Sequence, residues 1–167
     1  MENTDNATPT LDDIWAALAD VPDPEIPPVS VVDLGMVHDV RIDGDTVSVR
    51  FLPTFAGCPA LELIGQSIRE AIEQLGFAQV KVEPVFDPAW TTDRITAGGL
   101  RKLKQFGLAP PGKLNGRFVD ISMLQKVACP YCDSRNTTLE STFGPTLCRA
   151  IHYCNACRNS FEQFKPV

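Results

Sequence analysis

Two Cys-x-x-Cys turns, Cys129-Pro130-Tyr131-Cys132 and Cys154-Asn155-Ala156-Cys157, constrain what this chain can fold into more than any other feature. Thiolates presented in two such pairs can surround one tetrahedral ion at about 2.3 Å, provided that the 21 residues between Cys132 and Cys154 fold back as a hairpin. The spacing therefore predicts a metal-holding ribbon over residues 126–167, with Cys129, Cys132, Cys154 and Cys157 as ligands. Zinc is the expected ion and iron the alternative, because thiolate sites accept either. Four cysteines leave no open coordination position, so this site is expected to serve architecture or docking rather than catalysis.

The chain has six cysteines in 167 residues, and its opening, Met1-Glu2-Asn3-Thr4-Asp5-Asn6, lacks the basic start and apolar stretch of an export signal. Paired thiols in such a chain fit a reducing compartment, where they hold metal more often than they form disulfides, and the expected location is the cytoplasm. No apolar run approaches the roughly 20 residues that cross a bilayer, so no membrane partner is expected. Residues 1–125 carry 10 Lys+Arg against 18 Asp+Glu, a net charge of −8, whereas residues 126–167 carry 5 against 3, a net charge of +2. An acidic surface repels a phosphate backbone, and a zinc with four thiolates, at about −2, cancels the small surplus of the ribbon. A nucleic-acid-binding ribbon is thus the disfavoured alternative.

The longer N-terminal part reads as a small mixed α/β domain over residues 10–108, after a polar and disordered segment over residues 1–9. Thr10 and Asp13 form a capping-box pattern ahead of Leu11, Ile14, Trp15 and Leu18, which predicts a short helix ending near Ala19. Four prolines between Pro22 and Pro28 stop it. Extended structure is expected over residues 31–42 with an interruption at Gly35, then a turn at Asp43-Gly44 and a strand over 46–52 whose Val47, Val49 and Phe51 share a face. Leu61, Ile64, Ile68, Ile72 and Leu75 recur at helical spacing up to Gly76, residues 79–86 alternate like a strand, and residues 93–106 predict a last helix weakened by Gly98-Gly99. Ala109-Pro110-Pro111-Gly112 begins a linker over residues 109–125. The fold class is therefore α+β, a small mixed domain followed by a zinc ribbon.

Outside the ribbon set, three residues carry candidate chemistry. Pro59 suits a first helical position, which makes Cys58 the expected N-cap of the second helix, where free N–H groups and the helix dipole favour thiolate. Cys58 then reads either as a nucleophile or metal ligand, or as a small buried cap without chemistry. Asp23 and Glu25 lie in the proline-stiffened loop, either held near a metal or basic partner or simply solvated. Cys148 reads as a buried hairpin cysteine, His152 as a surface or packing residue, and Phe161 and Phe164 as packing beside the metal. Asp33-Leu34-Gly35 reads as a turn that brings Gly35 near another backbone, and His38 as a sheet-face residue. No Ser-His-Asp set or phosphate-cradling glycine loop can be assembled.

Asp23-Pro24-Glu25-Ile26-Pro27, Asp33-Leu34-Gly35-Met36-Val37 and Gly57-Cys58-Pro59 ahead of an amphipathic helix resemble the small domain shared by SufT-like iron–sulfur assembly factors, over about residues 10–107. Adding Phe106-Gly107-Leu108-Ala109-Pro110-Pro111, residues 143–150, the distal knuckles and residues 161–165, the whole chain is similar to the PaaD (PaaJ) family of phenylacetate-degradation proteins. This resemblance implies an accessory role in the phenylacetyl-CoA epoxidase system, maturing the iron or iron–sulfur centre of its oxygenase or reductase subunit while other subunits carry out catalysis. It marks Cys58, Asp23 and Glu25 as a functional cluster, and a transient iron or iron–sulfur cluster as cargo. The rival expectation is a stoichiometric epoxidase subunit that takes part in turnover.

Overall fold

A computed structural model describes residues 9–125 and 127–167; the expected disordered segment over residues 1–9 lies, apart from Pro9, outside them. Helix α1, Leu11–Ala19, begins with the reciprocal cap read from the sequence: the Asp13 N–H donates to Thr10 Oγ1 at 3.3 Å and the Thr10 N–H to Asp13 Oδ2 at 2.7 Å. Strands β1 (Val37–Asp43) and β2 (Thr46–Phe51) form the hairpin, and β3 (Gln79–Pro84) pairs parallel with β2 after the chain returns through helix α2, Leu61–Glu73. In this sheet of order β1-β2-β3, alternate residues Val47, Val49 and Phe51 point inward. They meet Ile14 and Leu18 of α1 and Ile64, Ile68 and Ile72 of α2 in one buried cluster. The polar positions of α2 stay outside because the apolar residues recur every third or fourth position.

Two expected elements come out shorter. Residues 31–35 are turns rather than strand, because Asp33 Oδ2 accepts from the Ser30 N–H at 3.0 Å and from the Ser30 hydroxyl at 3.1 Å, closing the chain locally. Gly35 adopts φ +63°, and a Cβ there would lie 2.2 Å from the Arg94 carbonyl oxygen. The last helix splits into a 3₁₀ turn, Thr92–Arg94, an extended Ile95, and α3, Ala97–Gln105, whose start is capped by Thr96 Oγ1 accepting from the Gly99 N–H at 2.9 Å. The glycines that weaken α3 are there for contact: a Cβ on Gly99 would lie 2.5 Å from the Asp33 carbonyl oxygen. Trp90 Nε1 donating to the Leu34 carbonyl at 2.9 Å and Arg94 Nε donating to the Gly35 carbonyl at 2.8 Å complete the attachment of this turn.

The ribbon holds β5 (Thr137–Ser141), β6 (Arg149–Cys154) and β7 (Ser160–Phe164), with β6 antiparallel to both β5 and β7. A fourth strand comes from the end of the first domain: β4, Leu108–Ala109, pairs parallel with β7, giving the order β4-β7-β6-β5. The chain therefore enters the second sheet at the position where a linker is expected from the sequence. Phe161 and Phe164, three positions apart on a strand, face opposite sides. Phe161 stays with the cysteines, but Phe164 leaves them, is buried in the main core and packs on Trp90 with ring centroids 6.0 Å apart. The ribbon is thereby seated on the α/β domain, and the Thr92 N–H donates to the Val167 carbonyl at 2.9 Å.

Partial burial opposes charge on Asp33, but the Lys102 ammonium at 2.6 Å and the two Ser30 donors outweigh it and hold the carboxyl below 3.8. A depressed folded pKa contributes stability above the unfolded value that is lost as pH falls through the folded one. Asp33→Ala should cost about 1–2 kcal/mol at neutral pH. Urea titrations should show the gap to wild type closing as pH drops below 3.8; a gap independent of pH would reject the assignment.

Candidate functional site

The proline loop over residues 22–30 is closed on itself before it meets anything else. Pro22 bridges Ser30, the Asp23 N–H donates to the Val29 carbonyl at 2.8 Å, and Asp23 Oδ1 accepts from the N–H groups of Glu25 and Ile26, both at 2.9 Å. Asp23 thus shapes the loop that presents Glu25. Burial raises its pKa from 3.8, against the two N–H donors. From the ribbon, Arg149 Nη2 donates to the Glu25 carbonyl at 3.0 Å while Arg149 Nη1 pairs with Glu162 at 2.8 Å.

Cys58 is not the helix cap. Ala60 holds that position with no side-chain cap bond, and Cys58 sits in the turn before it, where its N–H donates to Phe55 and its carbonyl accepts from Leu61. The carbonyl of Cys58 closes a turn ahead of α2, which displaces the helix start past Pro59. The expected stabilisation of a thiolate is lost with the cap. Burial pushes the Cys58 thiol above 9.0; the Ala60 N–H opposes this, and Glu25, Asp23 and Cys148 push the same way as burial. The resting group is a protonated thiol.

Cys58, Asp23 and Glu25 line one narrow cleft, together with Ile26, Phe55 and Cys148. Its free volume, about 30 Å³, is on the scale of a single ion or water. Cys148 is half-buried just before β6, with Sγ 3.1 Å from Thr146 Oγ1. Nothing in its spacing relates it to Cys58, since the two share a cleft only because the ribbon is seated on the first domain. His38 marks a bulge in β1, away from this cleft.

The four ribbon cysteines converge. Their sulfurs all lie within 4.8 Å of one another, with 3.7 Å between Cys129 and Cys157 and 3.5 Å between Cys132 and Cys154. A tetrahedral ion with arms of about 2.3 Å needs sulfur spacings of about 3.8 Å, so these donors fit such an ion as they stand. The knuckles are built alike: the Asp133 N–H returns to the Cys129 carbonyl and the Arg158 N–H to the Cys154 carbonyl, with positive φ at Asp133 and Arg158. The Asn159 side chain lowers the Cys157 thiol to about 6. Cys132 is pushed up to about 12, its Ser134 N–H donor being outweighed by desolvation and by the adjoining sulfurs. Crowded thiols repel as thiolates, and a cation at their centre removes that repulsion. His152 takes the packing role, buried, stacked on Phe161 at 5.3 Å and bonded through Nε2 to Gln163, with burial holding its pKa below 6.5.

Among the described residues no helix is long and apolar enough to cross a membrane. Residues 11–83 match the model of the iron–sulfur cluster assembly protein family, and residues 119–165 match that of the PaaD zinc beta ribbon domain. A protein of Escherichia coli (strain K12), provisionally named as one of the subunits of 1,2-phenylacetyl-CoA epoxidase, is 43% identical over 161 residues, which cover 96% of each chain. An Fe-S protein maturation auxiliary factor of Porphyromonas gingivalis (strain ATCC BAA-308 / W83) is 35% identical over 56% of this chain and 90% of its own. The solved structure of a conserved hypothetical protein from Thermotoga maritima superposes with a TM-score of 0.50 at 36% identity, over 57% of this chain and 95% of that one. With an assembly-factor domain carrying the Cys58 cleft and a four-cysteine ribbon seated on it, the chain belongs to the PaaD family.

Proposed function

We propose that this protein is a cytoplasmic maturation accessory of a phenylacetyl-CoA epoxidase, helping to install iron or an iron–sulfur cluster in the oxygenase or reductase subunit, with zinc as the structural ion of its ribbon. The observation that carries this reading is the contrast between two thiol sites. The ribbon site is complete with four sulfurs, so it can hold shape but has no position through which to exchange an ion. The cleft instead offers the Cys58 thiol beside Glu25, half-buried and reachable. A protonated thiol is a weak ligand and a poor nucleophile, which protects it between cargoes. An arriving ferrous ion displaces the proton of Cys58 to solvent, and the carboxylate that opposed ionisation of the thiol then neutralises the cation. The assembly-factor family model and the maturation-factor relative support a role in iron–sulfur maturation in general, and the relative named as an epoxidase subunit is the reason for proposing the epoxidase as client.

Three outcomes are expected. Cys58→Ser should keep the fold and the zinc content while lowering the iron content of co-produced epoxidase subunits; a client with full iron and full activity would reject the role of Cys58. Adding the purified protein to fully metallated epoxidase subunits should leave turnover unchanged, and a stoichiometric rise would favour the rival, a working subunit. Cys132→Ser should lose zinc and unfold the ribbon, because metal binding supplies its folding free energy.

The pKa assignment has its own check. Glu25→Gln removes one of the charges that hold the Cys58 pKa above 9.0. Alkylation of Cys58 at mildly alkaline pH, followed peptide by peptide, should therefore be faster in the variant. An unchanged or slower rate would contradict the electrostatic coupling.

A further inference from the structure

We propose that Cys148, carried by the ribbon, is the second sulfur ligand of the cargo ion, so that the cleft takes one ferrous ion between Cys58, Cys148 and Glu25. This rests on the reading of Cys58 as the cargo thiol and adds to it a ligand from the other domain.

The placement of Cys148 is built. Its carbonyl accepts from the Lys165 N–H at 2.8 Å, locking the residue to the end of the chain beyond β7. The next residue, Arg149, is buried and reaches across to the Glu25 carbonyl at 3.0 Å, so one segment fixes both Cys148 and the loop that presents Glu25. The Cys148 thiol lies in the same cleft as Cys58 and, among the described residues, is bonded only to the Thr146 hydroxyl, a light restraint for a side chain that must turn toward an ion.

Size and chemistry both admit a single ion. A free volume of about 30 Å³ is enough to seat one. Two thiolates and one carboxylate can hold ferrous iron, though less tightly than zinc, and leave a fourth position for water or for a ligand of the receiving protein. Binding removes one proton from each thiol, both passing to solvent, and no electron changes hands. Among the described residues, only the four-cysteine set already holds its donors within 4.8 Å of one another. The cleft therefore has to draw in around its ion, through the turn ending at Cys58 and the hairpin ending at Cys148. Such a site binds less tightly than a finished cage, as handing cargo on requires. Asp23 stays outside the ligand set because its Oδ1 is already bonded to two backbone N–H groups.

The test uses the full chain with its ribbon loaded with zinc, titrated anaerobically with cobalt(II) as the probe; cobalt does not compete well for a thiolate site already holding zinc. Cobalt-edge X-ray absorption of the wild type should count two sulfur scatterers, and the thiolate-to-cobalt absorption should fall to about half in Cys148→Ser and in Cys58→Ser, and vanish in the double variant. Zinc content and circular dichroism establish that each variant is folded, and the sulfur count on wild type stands even if a variant is not. One sulfur in the wild type, or full absorption in Cys148→Ser with loss only in Cys58→Ser, overturns the role of Cys148 and leaves Cys58 as the cargo thiol. No sulfur ligation in the wild type overturns both.

Discussion

Phe164 ends β7 with its ring against Trp90 in the core of the other domain, and the chemistry of the molecule depends on that seating. A buried aromatic contact of this kind supplies both area and orientation. Around it, Arg149 bonds to the loop of Glu25, the end of the chain bonds to Thr92, and β4 brings residues of the first domain into the second sheet. The same strands, β6 and β7, are fixed at their far ends by the Cys154 and Cys157 knuckle. An ion held by the four cysteines therefore acts at a distance: it sets β6 against β7, and these place Phe164 and residues 146–148, which form one wall of the cleft in which Cys58 sits.

The two thiol sites differ through electrostatics as much as through ligand count. In the ribbon, four sulfurs are packed so closely that their protonation is spread widely, Cys157 low and Cys132 high, and a dication relieves the conflict. In the cleft, burial, Glu25, Asp23 and Cys148 all work against ionisation of Cys58. That arrangement repels anions and favours a cation. The net charge of −8 over residues 1–125 has the same sign.

The features legible in the sequence were those with a short period or a fixed spacing. The Thr10–Asp13 cap, the alternation of Val47, Val49 and Phe51, the helical period of Ile64, Ile68 and Ile72 and the paired Cys-x-x-Cys turns are all local signals, and they reappear in the structure. The resemblance carried by Asp23, Glu25 and the Gly57-Cys58-Pro59 turn pointed to the assembly-factor fold. What could not be read was decided by competing local turns and by contacts between distant segments. The turn over residues 31–35 is closed by Asp33 on Ser30 and then held by Trp90, Arg94 and Thr96 from across the fold, so it replaces a strand. Cys58 misses the cap because its carbonyl closes a preceding turn, a choice that local preference for proline at a first helical position does not reveal. Phe164 could have been separated from Phe161 by strand parity alone. Cys148 carried no signal that tied it to Cys58, since the two come from different domains.

The central claim is that the metal-held ribbon forms a wall of the Cys58 cleft, and amide hydrogen exchange before and after chelation of the ribbon metal tests it most directly. Chelation should raise exchange over residues 127–167 and, together with it, over the loops at residues 22–30 and 53–60, while α2 and β2 keep their protection. A rise confined to residues 127–167, with both loops unchanged, would contradict the account.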